Sequence, residues 1–480
     1  MIGTSILDPH ARIVYGPFPG HNMCFIPGKV VTALRIITQI RGALPLIHGP
    51  IGCSWQRKFL NIVPGPVVYY TPCTALTELD VVYGGEKKLL EAILLAYERY
   101  CPDMIVVLTT CASDMVGDDV ESVVDEARKH IPVPIVYSTG SKAGRFRQVG
   151  AQDVLYSIVE QYVLPEVEER KLGIIEGSVN IQAMGVHGKA EVTELVHVLS
   201  LSGISILKTY FDNTRVSDLL YMARACLNIT PYRQLWADLV AERRNIKQYY
   251  ISRYDEPDPE KAHPSGIEGF RKVLLEIGKE LGKEGEIEST LRKLDAEHSA
   301  ELEKLRKELR ELSIAVDHYS TSIGIVLARE FNVKIRALVF YTGQLRNLGL
   351  SENAIRERIE YTVKVFEKYD SHPEVIVDED PVKVCERLRR LSIDLAIFGR
   401  CLPFAGEGVR LLSSRLLSCR AKQHHLLGYV ATIRMARTVL SASKRQIAFT
   451  SIVTYSKGRY MPFLPKQWDM LAELFGRNRT

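Results

Sequence analysis

Three cysteines, Cys24, Cys53 and Cys111, each stand where a glycine- or proline-marked turn meets an apolar run. Thiolates are soft donors that select zinc, copper or iron–sulfur clusters. Cys53 closes the segment Leu46-Ile47-His48-Gly49-Pro50-Ile51-Gly52-Cys53. A strand-like run ends there in a turn that Pro50 stiffens and Gly52 relieves of side-chain bulk, so backbone N–H groups can come close to whatever the sulfur holds. Cys24 lies between Pro19-Gly20 and Pro27-Gly28, and Cys111 follows the run ending Leu108-Thr109-Thr110. Three soft ligands on three separate turns suit an iron–sulfur cluster at a subunit boundary better than a closed zinc site. The sequence holds no C-x-x-C pair, however, and a free cysteine is commonly a small buried hydrophobe. On the residues alone both readings stand.

The elements that must carry such turns are legible as alternation. Ile105–Leu108, Pro134–Tyr137, Val179–Ile181, Ala337–Tyr341, Val375–Val377 and Leu395–Phe398 are short apolar runs that read as buried strands. Helical patterns lie between them, as at Glu86–Tyr100, Asp119–His130, Glu191–Leu201 and Glu352–Tyr369. This order predicts an α/β fold of doubly wound parallel sheets, in which ligands sit beyond the carboxyl ends of strands. The polar stretch Pro165–Lys171 and the loop-like Asp255–Glu260 suggest boundaries. They give a first domain over 1–170 with the cluster cysteines, a second over 171–283 and a third over 284–480. The third opens on a charged helix from about Glu284 to Leu312, with leucines at 291, 294, 302, 305, 309 and 312. Its stripe fits either a partner or the helix's own domain.

The totals exclude several function classes. Sixty-two basic and 57 acidic residues leave +5 over 480 residues, too mild a charge for nucleic acid or an anionic membrane as main partner. A hydrophobic fraction of 46% with 25% charged residues is that of an ordinary globular protein. The first residues lack a basic region followed by an apolar core, and no apolar run is long enough to span a bilayer. Nine unclustered cysteines, an odd number, argue against a disulfide framework and for a reducing cytoplasm.

The segment Gly42–Cys53 resembles a signature of the nitrogenase component 1 superfamily. Thr74–Leu89, with Glu78-Leu79-Asp80-Val81-Val82-Tyr83-Gly84-Gly85 at its centre, is similar to a second. Thr109–Val120, with Cys111 and Gly117-Asp118-Asp119, is similar to a third. Beyond residue 150 the likeness rests on strand–helix order and on Gly428-Tyr429 opening a late helix. Members include nitrogenases, cofactor-assembly scaffolds, tetrapyrrole reductases and reductases of other small molecules. The resemblance implies three doubly wound domains per subunit and a paired assembly, an α2β2 heterotetramer. It implies that Cys24, Cys53 and Cys111 bind an interfacial cluster, [8Fe-7S] of the P-cluster type or [4Fe-4S], completed by a homologous α-like subunit. Electrons would come from a separate ATP-hydrolysing iron–sulfur protein. This chain has no G-x-x-x-x-G-K-[ST] loop of its own.

The resemblance also marks departures. Where catalytic α subunits place a cofactor-holding cysteine, this chain reads Ala225-Cys226-Leu227-Asn228-Ile229-Thr230-Pro231-Tyr232, with Cys226 before the motif's asparagine. Leu427 stands where a ligating histidine would precede Gly428-Tyr429, and His424 and His425 lie upstream. The stretch Ser141–Gln148, where nitrogenase keeps a pocket histidine, has none. Ser141 and Gly52 are the cofactor-contacting candidates beside the three metal-ligand cysteines. Arginines from Arg387 to Arg437 either line a path for an anionic metallocofactor or form an ordinary salt-bridged surface. The expectation is a β-like subunit of a nitrogenase-like ATP-dependent reductase, with the large metallocofactor in its partner and a small-molecule substrate such as a methylthio-alkane. The alternatives are a cofactor-assembly scaffold subunit and a tetrapyrrole reductase subunit.

Overall fold

The computed structural model describes residues 29–54, 71–139, 149–182, 189–211, 214–253, 256, 258–347, 351–378, 380–399, 410–413 and 427–444. Its strands fall into three main sheets, parallel throughout, as the alternating pattern predicts. The first has the order β1-β2-β3, from Ala43–His48, Met104–Thr109 and Ile135–Ser138. All six β2 residues are buried, so this strand reads as an unbroken apolar run. Helices α1 (Lys29–Ile37), α2 (Ile51–Ser54), α3 (Glu78–Tyr83), α4 (Glu86–Tyr100), α5 (Cys111–Val116), α6 (Val120–Arg128) and α7 (Val149–Ile158) accompany it.

The second sheet runs β5-β4-β6-β7, from Ile175–Gln182 (β4), Ser205–Tyr210 (β5), Ala225–Tyr232 (β6) and Lys247–Ser252 (β7). The third runs β10-β9-β8-β11-β12, from Ser313–Asp317 (β8), Lys334–Phe340 (β9), Glu374–Val377 (β10), Leu395–Phe398 (β11) and Arg410–Ser413 (β12). Both orders reverse direction at their first strand, the doubly wound pattern. Their helices are α8 (Lys189–Leu201), α9 (Leu235–Arg244), α10 (Gly266–Leu281), α11 (Glu284–Leu309), α12 (Thr321–Phe331), α13 (Glu352–Lys368), α14 (Pro381–Arg390) and α15 (Tyr429–Lys444). A two-residue pairing, Ile40-Arg41 with Thr214-Arg215, links early and middle segments.

Two local readings change. The polar stretch at Pro165 is helical as far as Glu169, continuing without a break from Val149 through a widened turn at Val159–Val163 just before the proline. Glu260 lies in a short helix, Pro259–Ala262, capped by Asp258 rather than in an open loop. The leucines of α11 settle their own question. Leu291, Leu294, Leu302, Leu305 and Leu309 are buried in the core shared by the second and third sheets, so the stripe packs within this chain.

Candidate metal centre

Strands β1 and β2 pair in register, with His48 opposite Thr109, so their carboxyl ends finish side by side. A turn at Gly49-Pro50 leads from β1 into α2, which carries Cys53, whose N–H donates to Pro50 O at 2.9 Å. Thr110 leads from β2 into α5, which begins at Cys111. The Thr110 N–H donates to Ser113 Oγ at 2.9 Å, and the Ser113 N–H points back at Thr110 Oγ1 at 3.4 Å, a reciprocal cap. Ser113 Oγ–H then donates to His48 O at 2.9 Å, tying the two turns together. A Cβ at Gly49 would stand 2.3 Å from Thr110 Oγ1, so glycine is what lets these turns close on each other.

The sulfurs end up where a doubly wound sheet puts its ligands. Cys111 is exposed and Cys53 half-buried. Burial pushes the Cys53 thiol up. A hydrogen bond with the Thr110 hydroxyl opposes that push, and neighbouring Cys111 adds to it. Among the described residues, no heavy atom lies within 4 Å of where a Gly52 side chain would begin.

Beneath the cysteines lies a polar lock that sequence reasoning missed. His48 and Asp118 are both buried, and His48 Nε2 is 2.8 Å from Asp118 Oδ2. Burial lowers the His48 pKa, outweighing the pull of Asp118, and the ring is neutral. Its Nε2–H then donates to the carboxylate, and Nδ1 accepts from Thr74 Oγ1 at 3.2 Å. Asp118 Oδ1 also accepts the Gly85 N–H at 2.7 Å, and Thr74 Oγ1 accepts the Gly49 N–H at 3.0 Å. Three separate segments are fastened by three side chains and two backbone N–H groups. A second missed residue is Cys73, whose S–H donates to Gly49 O at 3.1 Å. A third is Lys29, which bonds Thr109 Oγ1 at 3.1 Å and Thr139 O at 2.8 Å and pairs with Asp114. The signal for the first lay in the quoted motifs, which contain His48, Thr74, Gly85 and Asp118; only their convergence was hidden.

The rim of this centre is apolar and uncovered. Ile51 on α2, Leu79, Val82 and Tyr83 on α3, and Met115 on α5 are all exposed, Tyr83 at 83% and Met115 at 89%. Exposed apolar groups on the short helices that carry and adjoin these thiols mark an interaction surface.

The sequence profile described as "Nitrogenase component 1 type Oxidoreductase" matches residues 29–441. The chain belongs to the nitrogenase component 1 family. It is 25% identical over 454 residues to a nitrogenase iron-molybdenum cofactor biosynthesis protein NifE of a Nostoc species, covering 89% of this chain and 84% of that one. It is 36% identical over 137 residues to a nitrogenase molybdenum-iron protein alpha chain of Methanosarcina barkeri, covering 27% of this chain and 25% of that one. A solved structure described as nitrogenase Cp1 at pH 6.5 superposes with a TM-score of 0.58 at 16% identity, over 90% of this chain and 93% of its own. That likeness shows the fold.

Within this family frame the remaining candidates sort by position. Cys24, Ser141, His424 and His425 lie outside the described residues, as do Cys401 and Cys419. Cys226 sits at the amino end of β6, its sulfur 3.3 Å from Ile175 O, on the side of the sheet away from ligand-bearing loops. Thr230, near the carboxyl end, is buried with its hydroxyl donating to Tyr232 O. Cys385 is buried in the core of its own region. Among the arginines, Arg387 pairs with Glu374 at 2.8 Å and Arg437 pairs with Glu301, whereas Arg400, Arg415 and Arg420 lie outside the described residues. Among the described residues, two hollows lie along α11, of about 350 and 480 Å3; both are lined by Glu303 and Arg306, and the second also by Ala300 and Leu302. No helix among the described residues is long and apolar enough to cross a membrane.

The donor set fits an iron–sulfur group: two accessible, neighbouring thiols, with open space beside them among the described residues and the Thr110 hydroxyl hydrogen-bonded to Cys53. Among the described residues, no three His, Cys, Asp or Glu side chains converge to hold a metal ion by themselves. Two thiols by themselves would need further donors to hold such a group.

Proposed function

We propose that this chain is one subunit of a nitrogenase-type complex, and that Cys53 and Cys111, with Cys24, hold its share of an iron–sulfur cluster at the seam with a homologous subunit. The observation that carries this reading is the pairing of Cys53 and Cys111 at the carboxyl ends of adjacent parallel strands, within a rim of exposed apolar side chains. When bound, the cluster, [8Fe-7S] or [4Fe-4S], would store and relay single electrons. The chain's own task is to orient the thiolates, shield one side of them and aim N–H and O–H donors at sulfur, which tunes potential. The Thr110 hydroxyl is the donor so placed, and the Gly49-Pro50 turn orients Cys53 through the bond from its N–H to Pro50 O. Asp114, neutralised by Lys29, keeps the nearby charge balanced. The domain ranges 1–170, 171–283 and 284–480 each centre on one of the three sheets in this reading.

Between assembly and turnover, assembly is the better supported. The likeness to the NifE biosynthesis protein runs over most of both chains, whereas the likeness to the catalytic alpha chain is confined to about the quarter bearing the cysteine motifs. The departures agree: Cys226 is turned away from the cofactor side, and Leu427 stands before Gly428-Tyr429. The complex is then a scaffold on which a metallocofactor precursor matures before transfer. The oxidoreductase character of the family favours a second reading, a reductase fed by an ATP-dependent iron–sulfur protein and acting on a small molecule. A methylthio-alkane substrate has no observation in its favour.

Anaerobic purification of the complex, with iron, sulfide and subunit analysis, tests the common part. Cys53→Ser and Cys111→Ser should each lose most of the bound iron; full retention by both variants ends the cluster reading. For the finer choice, a scaffold gives up its large cluster to an apo-enzyme, whereas a reductase turns over substrate with ATP and reductant.

A further inference from the structure

Cys73 lies outside the cysteine set that the sequence motifs single out, yet it touches the turn that aims Cys53. Its backbone sits beside β1 in an isolated parallel bridge to Ile47. The Ile47 N–H donates to Pro72 O at 2.9 Å, the Thr74 N–H to Ile47 O at 3.0 Å and the Leu76 N–H to Gly49 O at 3.0 Å. The side chain follows the same line. Its sulfur is 3.1 Å from Gly49 O and 3.6 Å from Pro50 O, and it accepts the Ala75 N–H at 3.4 Å. Ala75 adopts φ 51°, a left-handed conformation that is strained for alanine and that turns its N–H onto the sulfur. Pro50 O is also the acceptor for the Cys53 N–H at 2.9 Å. One thiol therefore reaches both carbonyls of the turn, and one of those carbonyls holds the ligand's own backbone.

We propose that Cys73 is a positioning residue for the iron–sulfur site, its S–H fixing the Gly49-Pro50 turn so that the Cys53 sulfur faces the cluster. This rests on the cluster reading above. A role as a further ligand is disfavoured by the same geometry, because a sulfur that donates to backbone carbonyls keeps its proton, whereas a metal ligand is a thiolate. Serine retains a donor of smaller size. Valine fills the same volume and has no donor.

The test compares the wild-type chain with Cys73→Ser, Cys73→Val and Cys53→Ser, each purified anaerobically as the full chain with whatever subunit accompanies it. Two readouts are taken: iron and the electron paramagnetic resonance spectrum after reconstitution with ferrous iron and sulfide, and the rate at which N-ethylmaleimide labels Cys53 in the metal-free protein. Circular dichroism melts check that each variant folds. Cys73→Ser should keep wild-type iron and spectrum. Cys73→Val should still bind iron with an altered spectrum, and its Cys53 should be labelled about three-fold faster, the scale of losing one weak hydrogen bond. Loss of iron in Cys73→Ser to the level of Cys53→Ser would make Cys73 a ligand and overturn the proposal. So would a Cys73→Val protein that matches wild type in spectrum and labelling. If the wild-type protein takes up no iron, the cluster reading fails, and the labelling rates still decide whether Cys73 holds the turn.

Discussion

A buried carboxylate survives in a folded chain when every lone pair it exposes meets a donor, and Asp118 meets two. His48 Nε2 and the Gly85 N–H share its oxygens, and the same imidazole continues through Thr74 to the Gly49 N–H. Asp118→Asn keeps the shape but turns a donor group toward one of those donors. It should destabilise the protein by about 2 kcal/mol, measured as a drop in urea midpoint, and should loosen the turns holding Cys53 and Cys111. A loss under about 0.5 kcal/mol would mean the lock is incidental. The imidazole also carries a pH signature. Burial lowers the folded pKa of His48 below its ordinary 6.5, so acidification protonates the unfolded chain first. Its contribution is whole above about pH 6.5 and drains away as pH falls toward the folded value. His48→Gln should flatten that part of the stability profile; unchanged curvature below pH 6.5 would rule it out. The cysteines at this site were legible because chemistry and turn residues coincide at each. The lock was not, because its members are as far apart as Gly49 and Asp118 and each looks ordinary alone. Cys73 was hidden for the opposite reason: a lone thiol among threonines announces nothing until Gly49 O is beside it.

Helix α3 poses the clearest question at the level of elements. Thr77 and Asp80 fasten its start, the Thr77 N–H donating to Asp80 Oδ2 at 2.5 Å while Lys88 reaches the same oxygen at 2.8 Å. The Lys88 hydrogen bond, then Thr77, holds the Asp80 carboxyl well below the usual range, so this fastening is complete at neutral pH and is lost only in strong acid. A firmly anchored helix that exposes Leu79, Val82 and Tyr83 is built to be covered. A Val82→Ser/Tyr83→Ser double variant should melt within about 0.5 kcal/mol of wild type and yet lose its partner subunit in size-exclusion chromatography with light scattering. A variant that still co-elutes would place the seam elsewhere. Helix α11 makes the opposite case. Leu291→Ala should cost about 3 kcal/mol and leave association intact, because that side chain fills this chain's own core. Its leucine spacing showed a stripe; whether a stripe faces a partner or home is decided by α8, α10 and the third sheet, which no local window contains. Apolar strands such as β2 and β11 were plain for the same reason that β5 and β7 were not. Ser205–Tyr210 and Lys247–Ser252 mix polar and apolar residues, and their pairing neighbours supply what their own composition lacks.

Across the whole molecule, the join that matters most is where α15 meets the middle of the chain. Glu194 on α8 accepts the Tyr429 N–H at 2.7 Å and the Val430 N–H at 3.1 Å, so a buried carboxylate caps the opening of a helix more than two hundred residues away. The Tyr429 hydroxyl donates to Asp295 on α11 at 2.5 Å, Asp295 pairs with Arg271 on α10, and His298 stacks on the Tyr429 ring at 5.2 Å. Four helices from different stretches of sequence meet at one residue. Burial raises the Glu194 pKa, against the pull of the Tyr429 and Val430 N–H groups and of His298 and His197. A carboxyl whose folded pKa exceeds its ordinary 4.5 holds its proton longer in the folded state than in the unfolded one. Stability from this group therefore falls as pH climbs from 4.5 through the folded value, and is level above it. Glu194→Gln cannot titrate, but its amide accepts with one oxygen only and so sits lower at every pH. The slope is what discriminates. Urea midpoints measured from pH 4 to pH 7 should show the wild-type advantage over Glu194→Gln shrinking as pH rises; parallel curves would mean that burial does not shift this carboxyl.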